Sequence, residues 1–180
     1  MEKSRMFENE FCEYAVVKKI EGAYLAKIIL CTILLIGICV ASFLFVIPSS
    51  LAVGALLIAA AGIAAWYLSR FTAIEYEYSL SGEYMDFAAI YSKQYRREKL
   101  SVELKKEAKK VFPFDGNFDG FNVEKVLDLR SSSNVKNAYV MVYESNEHIC
   151  AVVFDATKKI VEHMFHQIPS LVVRADTLPE

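Results

Sequence analysis

Residues 28–68 read IILCTILLIGICVASFLFVI (28–47), PSS (48–50) and LAVGALLIAAAGIAAWYL (51–68), and neither long run carries a charge. At about 1.5 Å per helical residue the two runs extend about 30 and 27 Å, the hydrocarbon thickness of a bilayer. The three-residue link between them admits only an antiparallel turn. The stretch therefore predicts a transmembrane helical hairpin over 28–69, with spans 28–47 and 51–68. Two buried helices of a water-soluble protein would need more surrounding chain than 180 residues provide. A secretory signal is a poor match, because its apolar segment runs about 7–15 residues.

Charges near the ends of the hairpin set its orientation. Lys3, Arg5, Lys18, Lys19 and Lys27 precede it, Arg70, Lys93, Arg96, Arg97 and Lys99 follow it, and the link has no Lys or Arg. The positive-inside bias predicts a cell-membrane protein with two spans and both termini in the cytoplasm. Tyr24, Trp66 and Tyr67 fall where an aromatic belt on that side would lie. Cys12, Cys31, Cys39 and Cys150 follow no disulfide or zinc spacing, which suits a reducing compartment. Neither 28–47 nor 51–68 holds an ionisable group other than cysteine or tyrosine, which argues against a transport path. Small residues recur four apart (Gly37 with Ala41, Ala55 with Ala59, Ala61 with Ala65), a spacing that permits close helix contact.

Two further segments flank the hairpin. Residues 1–27 form a cytoplasmic lead in which Phe7, Phe11, Tyr14 and Ala15 recur at helical spacing, predicting a short amphipathic helix. Residues 70–180 read as a separate cytoplasmic domain. Ile74, Tyr76, Tyr78 and Leu80 alternate with Glu75, Glu77 and Ser79, and after the Ser81-Gly82 turn Met85, Phe87, Ala89 and Tyr91 alternate again. Further strands are expected at 100–104, 108–112, 123–129, 138–143 and 149–154, making about seven. Asp155 is placed to cap a final helix whose stripe is Ile160, Val161, Met164, Phe165 and Ile168, with Pro169 ending it. The fold class is α+β: a two-helix transmembrane hairpin, then a mainly antiparallel β domain closed by an amphipathic helix.

The stretches FTAIEYEYSLSGEYMDFAAIYSKQYRREKL (71–100) and YVMVYESNEHICAVVFDATKKIVEHMFHQIPSLVV (139–173) carry a resemblance. The chain resembles a family of small, functionally uncharacterised Gram-positive bacterial membrane proteins in which a two-helix hairpin precedes a bacterial pleckstrin-homology-like (PH-like) domain. The resemblance implies two packed antiparallel sheets plugged by a C-terminal helix. Pleckstrin domains that bind phosphoinositides carry Lys and Arg around the turn between their first two strands. Here the matching turn is read as Ser81-Gly82-Glu83, and residues 71–92 have net charge −4 with no Lys or Arg. The specific head-group pocket is therefore not carried over.

Three local features invite chemistry. Lys93, Arg96, Arg97, Lys99, Lys105, Lys106, Lys109 and Lys110 fall within eighteen residues against Glu98, Glu103 and Glu107, a net of +5. Such a face could lean on an anionic leaflet, or could be a solvated strand that guards an open edge. DGNFDG (115–120) places Asp115, Asn117, Asp119 and Gly120 as in a calcium loop, but the twelfth position is Val126 where a bidentate Glu is needed. Tight turns account for the same letters, with Phe112, Phe114, Phe118 and Phe121 anchoring the loop. His163 and His166 beside Glu162, and His148 beside Cys150, fit a polar helix face and a strand face without any metal.

No phosphate loop, nucleophile elbow, kinase or metalloprotease signature is present, so no enzyme and no cofactor are expected. The near-neutral net charge of −2 and the absence of a reading motif argue against nucleic acid. The expectation is a membrane-anchored, non-enzymatic binding or scaffold module. Its expected partners are the lipid bilayer and an unidentified protein or a second copy. The alternatives are a regulator sensing anionic lipid through 93–110 and a calcium-responsive protein through 115–120.

Overall fold

The computed structural model describes residues 11–69, 72–175 and 178–179. In chain order they form β1 (Phe11–Val17), α1 (Gly22–Ala41), a π-helical turn (Ser42–Val46), α2 (Leu51–Ser69), β2 (Ile74–Ser81), β3 (Tyr84–Tyr91), β4 (Tyr95–Glu103), β5 (Ala108–Pro113), β6 (Lys125–Asp128), β7 (Ala138–Ser145), β8 (His148–Asp155) and α3 (Lys158–Gln167). Two four-stranded sheets run β1-β2-β3-β4 and β5-β7-β8-β6, antiparallel except for β6 beside β8. The seven expected strands are all present.

The eighth strand, β1, corrects the expected N-terminal helix. Cys12, Tyr14 and Val16 face inward while Phe11, Glu13, Ala15 and Val17 face out, an alternation of period two. Tyr and paired Val suit a pleated, half-buried surface better than a short isolated helix. Phe7, the first residue of the expected stripe, lies outside the described residues. Tyr14 pairs with Tyr78, Val17 pairs with Glu75, and the Lys18 amide donates to the Ile74 carbonyl at 2.8 Å. The β domain therefore draws strands from both sides of the hairpin and is not confined to 70–180. It also follows that the turn between the first two strands is the hairpin itself, not Ser81-Gly82-Glu83, which joins β2 to β3.

Both hairpin helices are long and apolar enough to cross a membrane: Tyr24–Val46 has mean hydropathy 2.9 and Leu51–Ser69 has 2.1. Nearly all their side chains are uncovered by protein. Buried positions are the small Ser42, Gly54 and Ala61. A Cβ on Gly54 would meet Ile47 Cγ1 at 2.4 Å, so the helices close tightly just after the link. Of the small residues paired by spacing, Ala61 alone is buried.

The core lies between the sheets. Tyr78, Phe87 and Phe154 meet edge-on with ring centroids 5.3–5.8 Å apart, and the Tyr78 hydroxyl donates to the Leu129 carbonyl at 2.7 Å. Helix α3 closes one end with Ile160, Val161 and Met164 buried. Its cap is Thr157, whose hydroxyl accepts from the Ile160 amide at 3.4 Å, and not Asp155. Asp155 instead accepts from the Ser131 amide at 3.1 Å. On the outer face of the second sheet, Phe114, Phe118 and Phe121 pack on Phe112, Val140 and Val153.

Candidate functional site

The segment Lys18–Glu21 joins β1 to α1 and is clamped on both sides. The Lys19 amide donates to the Ser131 carbonyl at 2.7 Å, and Glu21 accepts from the Ser132 hydroxyl at 2.8 Å. The Lys18 ammonium stands over the rings of Tyr24 and Tyr76 at 5.0 and 5.5 Å, and Tyr24, on the first turn of α1, packs on the domain core. Behind this clamp Arg130 holds Asp128 through two bonds of 2.9 and 2.6 Å. Burial pushes the Asp128 carboxyl up, but the hydrogen bonds and charge of Arg130 outweigh it and hold the group below the usual carboxylate range. The domain is thus locked to the start of the first apolar helix.

The eight basic residues singled out in 93–110 do not form one patch. Lys93 sits at the hairpin end of the first sheet, 4.0 Å from Glu75. Arg96, on β4, takes Glu77 at 2.6 Å. Lys105 pairs with Glu83 and Lys106 with Glu103 at 2.6 Å, at the opposite end of the same sheet. Lys109 pairs with Glu144 at 2.5 Å and Lys110 with Asp119, both from the second sheet. Lys99 stands over the Tyr91 ring at 5.4 Å, and Arg97 projects outward beside it. Nine residues of strand span about 30 Å, so one flat surface cannot meet both ends. Six of the eight already face a carboxylate of this chain.

In the 115–120 loop the Asp115 carboxylate accepts from the Asn117 amide at 2.9 Å, an Asx turn, while Asp119 is paired with Lys110. Gly116 and Gly120 have positive φ, as the two turns require. The carboxylates of Asp115 and Asp119 are thereby engaged in a turn and an ion pair. Among the described residues no group of three or more His, Cys, Asp or Glu side chains could hold a metal. His163 Nδ1 bonds the Lys159 carbonyl at 3.0 Å and His148 Nδ1 lies 2.8 Å from Glu124.

Sheet edges are the feature that residue-by-residue reading misses. The outer edge of β5 is covered: the Val111 amide donates to Leu171 and the Val173 amide to Val111, both at 2.8 Å, so residues 171–173 run beside it. Helix α3 touches β1, which is seven residues long. β6 is four residues long. β4 is the nine-residue edge, and from Tyr95 to Glu98 its side chains are exposed.

The chain matches the model of one protein family, described as Bacterial PH-like domain (DUF6106), over residues 8–174. No curated protein and no solved structure matches it.

Proposed function

The chain belongs to this bacterial PH-like domain family, and from that premise we propose that it is a membrane-anchored, non-enzymatic module that holds a protein-binding β domain against the cytoplasmic face of the cell membrane. The carrying observation is the β4 edge. It is nine residues long and largely exposed, while β5 is covered by 171–173 and β1 is shorter, at seven residues, and touches α3. An extended segment of a partner can add to such an edge through main-chain hydrogen bonds alone, with no catalytic residue required. Arg97 and Lys99 on that edge favour a segment carrying acidic residues. Both hairpin ends meet in one sheet through β1 and β2, which supports their lying on the same side of the bilayer. Lys18, Lys19, Lys27 and Lys93 at those ends, against none in Pro48–Ser50, support the cytoplasm as that side.

The alternative of a lipid sensor acting through 93–110 is weakened by the internal ion pairs, because six of its eight cations must leave a carboxylate before they meet a phosphate. A photoreactive amino acid at Arg97 or Lys99 in intact membranes tests the edge reading, with Lys158 and Glu162 on α3 as controls. The expected result is a discrete protein adduct from the β4 positions and none from α3. Adducts from α3 with none from β4 would defeat the proposal.

A further inference from the structure

Tyr24 borders two cavities of opposite character. One is a groove of about 730 Å³ between α1 and α2, walled by Ile28, Leu35, Ile58 and Leu68, with Lys27 the charged residue on its lining. The other, about 370 Å³, lies at the domain junction and is lined by Lys18, Lys19, Arg130 and the Ser131–Ser133 hydroxyls, with Glu21 and Asp128. In the second, Asp128 is taken by Arg130 and Glu21 by Ser132. Lys18 and Lys19 make no ion pair among the described residues.

The geometry points to a bound anionic phospholipid, one acyl chain in the groove between the helices and its phosphate held by Lys27, Lys18 and Lys19 on either side of Tyr24. A groove open sideways to hydrocarbon fills with lipid tails, and the charge at its mouth selects which lipid. A third apolar helix is the poorer occupant, since it would press Lys27 into an apolar contact one turn inside the span. Unlike six of the eight cations of 93–110, the lysines here make no ion pair among the described residues. The assignment rests on the hairpin lying in the bilayer.

The sole tryptophan, Trp66, neighbours the groove residue Ala65 and serves as the reporter. The full-length protein is reconstituted into phosphatidylcholine vesicles containing a minor fraction of phosphatidylglycerol, with brominated chains on an equal amount of one lipid or the other. Brominated phosphatidylglycerol is expected to quench Trp66 more strongly. Lys27→Gln should lower that preference about fivefold, the order expected for one cation beside an anionic lipid. The triple variant Lys18→Gln, Lys19→Gln, Lys27→Gln should abolish it. Gly62→Leu fills the groove without meeting any atom within 4 Å of its first side-chain carbon, and should abolish the preference with every lysine intact.

Equal quenching by the two lipids in the unaltered protein would overturn the inference, as would a preference that survives both the triple variant and Gly62→Leu. A preference lost instead in Arg96→Gln, Arg97→Gln, Lys105→Gln, Lys106→Gln would place the lipid on the strand surface and overturn it too. Release of the protein from native membranes by alkaline carbonate would remove the premise, and is scored separately.

Discussion

Removing everything before Thr72 deletes β1 along with the hairpin, and the remaining domain should be severely destabilised. In the intact chain Cys12 is 2% exposed and Tyr14 and Val16 are half-buried against the core. Full burial of one large apolar side chain contributes about 1.5–3 kcal/mol. One buried and two half-buried side chains therefore contribute about 4 kcal/mol before the lost strand pairing is counted. Domains of this size have about 5–15 kcal/mol in total. The fitting control keeps β1 and removes only the membrane part, by joining Lys18 to Ile74 through an Asn-Gly turn. Those two residues are already linked by a backbone hydrogen bond of 2.8 Å, and Asn-Gly is the preferred two-residue hairpin connection. Thermal and guanidinium unfolding followed by circular dichroism should give a single cooperative transition for the joined chain. The chain starting at Thr72 should unfold about 15–30 °C lower, at about 4–8 °C per kcal/mol. If the two differed by less than about 1 kcal/mol, β1 would not be an integral strand and the inserted-hairpin topology would be refuted.

Tyr78→Phe leaves the Leu129 carbonyl without its buried donor and should cost about 1–3 kcal/mol, read as a lower denaturant midpoint with unchanged slope. Gly54→Ala should loosen the hairpin near its link, because the new carbon meets Ile47 at 2.4 Å, whereas Gly37→Ala and Gly62→Ala meet nothing within 4 Å. Site-directed cross-linking between α1 and α2 in membranes should fall in the first variant and not in the other two. Arg130→Gln should show a pH-dependent penalty. Arg130 holds Asp128 below its ordinary value and opposes the rise that burial imposes on Asp155. A carboxylate depressed in the folded state contributes stability above its unfolded pKa and loses it as pH falls through the folded value. The gap between the unaltered chain and the variant should thus be fully present well above the ordinary carboxylate pKa of about 3.9 and be lost as pH falls below it.

Local patterns carried most of the architecture. Uncharged runs at 28–47 and 51–68 and strict alternation at 74–80 and 85–91 each report an element whose burial is decided within the element itself. β1 was illegible because residues 11–16 fit both a three-to-four and a two-residue period, and the strand that decides between them lies beyond the whole hairpin. With β1 hidden, β2 and β3 look like the first two strands, and Ser81–Glu83 takes the place that belongs to the hairpin and its flanking Lys18 and Lys19. The basic run misled for a related reason. Density along the chain resembles density in space only when neighbours stay together, and β4 carries its charges towards opposite ends. Five of the six carboxylates that answer them, Glu75, Glu77, Glu83, Asp119 and Glu144, come from other strands and loops, and only Glu103 is on β4 itself. Asp155 is a sound cap by sequence, but its carboxylate is drawn towards the Ser131 amide and leaves Thr157 to begin the helix.

The order of β1, hairpin and β2 also fixes a sequence of events during synthesis. β1 leaves the ribosome before either apolar helix, and its hydrogen-bonding partner follows the second. With the hairpin in the membrane as proposed, the first sheet closes only after the chain has crossed and come back to the side it left. A hairpin inserted only once would strand β1 and β2 on opposite faces, with Tyr76, Tyr78 and Leu80 deprived of a neighbouring strand. On that topology only an even number of crossings brings β1 and β2 together, and a chain that crosses once leaves β2 with a single neighbour in its sheet.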